Sequence, residues 1–147
     1  MNPSPISNPQ EIKDEEHLKL LSIFHYVVGG ITMAFSCIFL IHVGMGISLL
    51  THPEVWNAGK NQPPPPAFLG YLFTVIGSVV VLTGWTIGAL SIYSGRCIKH
   101  RSQRVFSLVM AGINCAFFPF GTVLGVFTFL VLMRDSVKQM YSPPSVV

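Results

Sequence analysis

The sequence predicts an all-α, polytopic membrane protein of four transmembrane helices with an amphipathic N-terminal extension, and three observations predict it. Charged residues are 10% of the 147 residues and hydrophobic ones 50%, against roughly 25% charged in a soluble domain. Mean hydropathy is +0.57, so polar groups are too few to cover a water-facing surface. The charges are also segregated: no Asp, Glu, Lys or Arg stands between Lys19 and Glu54, between Lys60 and Arg96, or between Arg104 and Arg134. Each uncharged block exceeds the roughly 20 apolar residues that cross about 30 Å of hydrocarbon. A disordered chain is excluded by the same figures. The net charge of +3 lacks the basic and aromatic stripe of a nucleic-acid binder, so no nucleic-acid partner is expected. Residues 1–147 read as a single membrane domain.

After an irregular arm over residues 1–7, Asn8 reads as an N-cap, Pro9 as a first-turn proline, and Glu11, Asp14, Glu15 and Glu16 as acids set against the positive end of the helix dipole. Acids and prolines here, in place of a basic region and a cleavage site, argue against a cleaved signal peptide. Residues 8–23 are expected to lie at the interface, and the first span to run over 24–50, bending at Gly29-Gly30. His52-Pro53 stops it. Residues 51–66, with the run Pro63 to Pro66, form a polar loop stiffened by polyproline geometry.

The second span covers 67–95. Gly70, Gly77, Gly84 and Ser91 recur every seven residues, and Thr74, Gly88 and Gly95 fall on the interleaved positions, with Val81 the one larger member. Such a face permits the close backbone approach by which helices associate in lipid. Residues 96–103 follow as a basic loop, and Arg96, Lys99, Arg101 and Arg104, with His100 and no acid, place it on the cytoplasmic side as an orientation signal or an anionic-lipid site.

The block from Val105 to Met133 decides the topology. One helix of that length would measure about 43 Å and carry Pro119 near its middle. A hairpin would turn at Phe118-Pro119-Phe120-Gly121, with Thr122 capping the next helix. The hairpin returns Arg134 and Lys138 to the side of the basic loop, as charge bias requires. The third span is therefore placed at 104–118 and the fourth at 122–140, with each arm drawing on flanking residues, from near His100 and to about Met140, to reach across. Gly121 and Gly125 sit four apart for a tight helix approach. Both termini are then cytoplasmic in a multi-pass protein.

The segments HLKLLSIFHYVVGG and GINCAFFPFGTVLGVFTFLVLMRDSVKQMY resemble small bacterial inner-membrane proteins of four helices that end in a Pro-x-Gly-Thr-x-Leu-Gly hairpin. The resemblance covers the first helix and the last two. It implies that fold and a cell inner membrane, and it carries over no activity and no catalytic residue.

The three uncharged blocks that form the middles of the predicted spans hold no carboxylate, lysine or arginine, so proton-coupled transport and voltage sensing lack their usual groups. His25 and His42 stand seventeen positions apart on one helix, about 25 Å, and cannot grip one ligand. A haem held by His25 would need His100 as partner. Asn114 is expected to bond between helices. Cys37, Cys97 and Cys115 show no disulfide or zinc spacing and read as buried small hydrophobes. No catalytic motif occurs, so an enzyme is not expected, nor any cofactor or metal. The leading expectation is an interaction or accessory subunit, homo-oligomeric or part of a larger membrane complex, associating through the glycine faces. Its rivals are an oligomeric channel or transporter and a b-type cytochrome.

Overall fold

The computed structural model describes residues 9–57, 63–117 and 119–141. The expected arm over 1–7, the Asn8 cap, Phe118 and the middle of the proline-rich loop lie outside them. All regular structure among the described residues is helical: α1 (Pro9–Cys37), α2 (Leu40–Thr51), a 3-10 turn (Pro53–Trp56), α3 (Ala67–Lys99), α4 (Arg104–Cys115), α5 (Phe120–Leu132) and α6 (Asp135–Met140). Two stretches are long and apolar enough to cross a membrane, Pro9–Thr51 with 43 residues and Ala67–Lys99 with 33. By contrast, α4 has 12 residues and α5 has 13. At the α-helical rise these are about 18 and 20 Å long, short of a hydrocarbon layer of about 30 Å.

The chain forms two compact units, one of residues 1–29 and 90–147 and the other of 30–89. In the first unit α4 and α5 run antiparallel. A Cβ on Gly125 would strike the Ala111 carbonyl and Cys115, and one on Gly121 the Asn114 carbonyl and Phe117, so only glycine allows this approach. The core joins Leu18 and Leu21 of α1, Ile98 of α3, Val131 and Leu132 of α5 and Val137 of α6, with Leu108, Met140 and Tyr141 packed on it.

The second unit is a close pairing of α2 and the end of α1 with the first part of α3. A Cβ on Gly70 would stand 2.7 Å from Leu50 Cγ, and one on Gly77 2.8 Å from Val43 Cγ2. Gly84 faces Ser36, and Gly46 faces Thr74 and the Gly70 carbonyl. The 3-10 turn follows the expected stop at His52-Pro53, and Trp56 Nε1 donates to Ser48 Oγ at 3.0 Å.

Several expected boundaries are corrected. The first span is not one helix: α1 runs unbroken through Gly29-Gly30, the expected bend, and the interruption falls at Ile38-Phe39, where bonds of the i to i−3 kind replace the regular ladder. Ser36 Oγ bonds back to the Thr32 carbonyl at 2.8 Å just before this point, and such back-bonding bends helices. The last arm is not one helix to Met140. It breaks at Met133-Arg134, where Arg134 is extended (φ −62°, ψ 139°) and α6 starts anew with Asp135 in its first turn. The third arm starts at Arg104 and does not draw on His100. Thr122 does not cap α5; its Oγ1 donates instead to the Cys115 carbonyl at 2.9 Å, closing the end of α4.

Candidate functional site

The first unit holds most of the buried polar chemistry. Asp14, Leu18, Leu21 and His25 recur at helical spacing on the buried face of α1. His25 is fully enclosed, and its Nδ1–H donates to the Leu21 carbonyl at 3.1 Å. A carbonyl only accepts, so the proton is assigned to Nδ1 and Nε2 carries the lone pair. Ser22 Oγ donates to the Gly95 carbonyl at 2.8 Å, and Asn114 Nδ2 to Ser91 Oγ at 3.3 Å. Ser94, Ser107 and Thr128 are also fully buried. Among the described residues His25 Nε2, Ser94 Oγ, Ser107 Oγ, Asp14 Oδ2 and Tyr141 OH have no hydrogen-bond partner.

One end of this unit is charged. Asp14 is fully buried and its Oδ1 accepts from Arg134 Nη1 at 3.1 Å. Glu15 pairs with Arg101. Arg104 Nε donates to the Leu132 carbonyl at 2.9 Å, satisfying an orphan acceptor at the end of α5. The acidic first turns of α1, the basic loop and the residues after α5 therefore share one end. The loop is held in an uncommon backbone: Arg101 (φ 50°) and Gln103 (φ 47°) are both left-handed without being glycine, a conformation that costs roughly 1 kcal/mol each. Burial pushes Tyr141 up to about 12, partly offset by Arg104, so its phenol is neutral.

Beside the charged end, a groove of about 690 Å³ runs along the face of α1 that carries Ile12, Glu16, Lys19, Ile23 and Tyr26, and is closed by Ile98, Lys99 and Arg101. Its outer end is charged and its inner end apolar.

The glycine series of α3 is turned inward on this chain. Gly70, Gly77 and Gly84 meet α1 or α2 within the second unit, Gly95 meets Ser22 and His25 within the first, and Gly88 is buried. Ser91 serves Asn114, as expected for a bond between helices. Of the basic residues, Arg101 and Arg104 hold neighbouring elements, Lys99 lines the groove, and Arg96 is exposed. His42 stacks on Phe39 with ring centroids 5.2 Å apart and leans on Phe73. His100 is exposed while His25 is enclosed. The cysteines divide: Cys97 is buried, Cys115 intermediate, and Cys37 is exposed, against the expectation that all three are buried. An outward small residue on a helix has no partner side chain to cover it, and Cys37 lies on such a face.

Sequence reasoning missed Asp14 and Glu15 as ion-pair partners because they read as dipole acids. The signal was present in their phase, since Asp14 precedes Leu18 and Leu21 by one and two helical turns. No family model matches the chain, and no curated protein or solved structure matches it either.

Proposed function

We propose that this chain is a multi-pass protein of a bacterial inner membrane that works by association, as an accessory subunit or homo-oligomer, with both described ends on the cytoplasmic side. In this reading Pro9–Thr51 and Ala67–Lys99 cross the bilayer. The hairpin of α4 and α5 enters and leaves from the cytoplasmic face, a depth that suits its 12- and 13-residue arms better than two full crossings. The basic loop supports the orientation, and the resemblance of the first helix and the final hairpin supports the bacterial setting.

One observation carries the association. Gly30 and Gly44 are exposed, and a Cβ at either would have nothing within 4 Å, on helices whose outward side chains, such as Ile31, Phe35, Ile41 and Ile47, are apolar. The glycines of α3 are spent inside the chain, whereas these two leave backbone open to a neighbouring helix. Exposed Cys37 lies between them in sequence.

The test is oxidative cross-linking in isolated membranes. A disulfide-linked species, a dimer or a link to another protein, is expected through Cys37 and lost in Cys37→Ser. Gly30→Leu with Gly44→Leu should abolish it while leaving the helix content of the purified chain unchanged. Cross-linking that persists in the leucine variant removes the association reading. A reporter fused after Val147 that is active outside the cytoplasm removes the topology.

A further inference from the structure

We propose that the groove on α1 is a binding site for one anionic phospholipid carrying a single phosphodiester, with its headgroup on Lys19 and Lys99. The proposal rests on the membrane reading above and adds a ligand to it. The groove has the two-ended chemistry of such a molecule. Along α1 the charged Glu15, Glu16 and Lys19 precede the apolar Ile23 and Tyr26, with Ile12 beyond the charged end. From Lys19 to Tyr26 is seven residues of helix, about 10.5 Å, a span that fits a glycerol backbone and the first carbons of an acyl chain beneath a phosphate.

Charge selects the headgroup. Glu15 and Arg101 neutralise one another, which leaves Lys19 and Lys99 against Glu16 and a net charge of +1 over the groove. A phosphodiester with one negative charge balances it. Lysine suits the task because its compact ammonium binds phosphate as a point charge. Glu16, the remaining acid, can accept from a headgroup hydroxyl, and it repels a second phosphate. A headgroup with two or more negative charges is therefore disfavoured, and a choline headgroup, zwitterionic and of net charge zero, leaves the groove's net +1 unbalanced. Ser22 does not compete for the ligand, as its hydroxyl is already given to the Gly95 carbonyl. Leu18 and Ile98 are buried in the core that joins α1 to α3 and back the groove, while Ile23 and Tyr26 give it accessible apolar surface. The pair Glu15–Arg101 holds the loop beside it.

The experiment is native mass spectrometry of the full chain in mild detergent, titrated with phosphatidylglycerol or phosphatidylcholine. One phosphatidylglycerol adduct is expected per chain, and Lys19→Gln with Lys99→Gln should weaken it about 25-fold, since two surface lysines at this position each contribute about fivefold. Arg96→Gln lies outside the groove and should leave binding unchanged. Glycerophosphoglycerol, the same headgroup without acyl chains, should not compete, which separates a lipid from a free phosphodiester. Equal adducts for both lipids, an unchanged double variant, or an equal loss in Arg96→Gln overturns the site in favour of diffuse basic attraction. Circular dichroism of each variant reports whether the helices persist. Carbonate extraction of cells tests the membrane reading by itself: a chain retained in membranes that binds no lipid loses only this site, and a chain that is extracted loses the parent reading.

Discussion

The two units hold themselves together by different physics. The second depends on backbone approach, with Gly46, Gly70, Gly77 and Gly84 each facing an atom that a Cβ would strike. Ser36 is its one buried polar residue among those described. The first has buried Asp14, Ser22, His25, Ser91, Ser94, Ser107, Asn114 and Thr128, and ion pairs at its charged end. Close packing gains dispersion without any polar group to satisfy. Polar bonds give a specific arrangement but leave a costly orphan whenever one partner is removed. The comparison teaches that the second unit is sensitive to added volume and the first to lost partners.

The largest expected effect breaks the second unit. Gly84→Leu drives a side chain into Ser36 and, by the cost of overpacking a tight interface, should destabilise by about 3 kcal/mol or more. Hydrogen exchange in detergent should show protection lost over residues 30–57 and 63–89 and kept at α4 and α5. Gly44→Leu, with open space around it, should change protection nowhere. Equal losses for the two substitutions would erase the distinction between covered and open glycines.

Next in size is a partner deletion in the first unit. Arg134→Met leaves the Asp14 carboxylate buried and unpaired. A fully buried pair would cost about 3–5 kcal/mol, but Arg134 is 42% exposed, so about 2–3 kcal/mol is expected in thermal unfolding. Adding Asp14→Asn should recover most of the loss, because the isolated charge is then gone. A double variant as unstable as the single one would show that the ion pair is not what holds α1 to the end of α5.

Asn114→Ala is a smaller partner deletion. It removes the bond to Ser91 and should cost on the order of 1 kcal/mol, with exchange quickening at the end of α4 first. Among the described residues of the second unit the side-chain pair Trp56–Ser48 is exposed, so its loss should cost less.

Much of this was legible in the charge pattern and the small-residue phase. The uncharged blocks located α1 to α3, His52-Pro53 stopped α2, and Pro119 with the two glycines placed the hairpin between α4 and α5. Gly70, Gly77 and Gly84 read as a face for association with another subunit, and in this chain they pack against α1 and α2; a small-residue phase marks a close approach without naming the partner. The breaks at Ile38-Phe39 and Met133-Arg134 were not legible. Neither has a proline or glycine, and the first lies beside a side-chain bond from Ser36 while the second sits where Arg134 reaches Asp14. Buried Asp14 was hidden because an acid in the first turns of a helix has a sufficient local explanation in the dipole.

The smallest expected effect sharpens the contrast through pH. Tyr141 packs on the core of the first unit, its hydroxyl has no partner, and burial holds its phenol up to about 12. An acid whose pKa is raised on folding stabilises the folded chain while it is neutral in both states, below the unfolded value of about 10. That contribution is lost as pH rises from about 10 through the folded value. Unfolding should therefore become easier between pH about 10 and 12, beginning at α6. Tyr141→Phe removes the ionisable group and the unpartnered hydroxyl together, so the variant should be at least as stable at neutral pH and should lose this alkaline step, read by circular dichroism. Substitutions in the second unit should leave the step in place, since the group that causes it belongs to the first. An alkaline step that survives in Tyr141→Phe would assign it to another residue and leave no pH-dependent contrast between the units that rests on Tyr141.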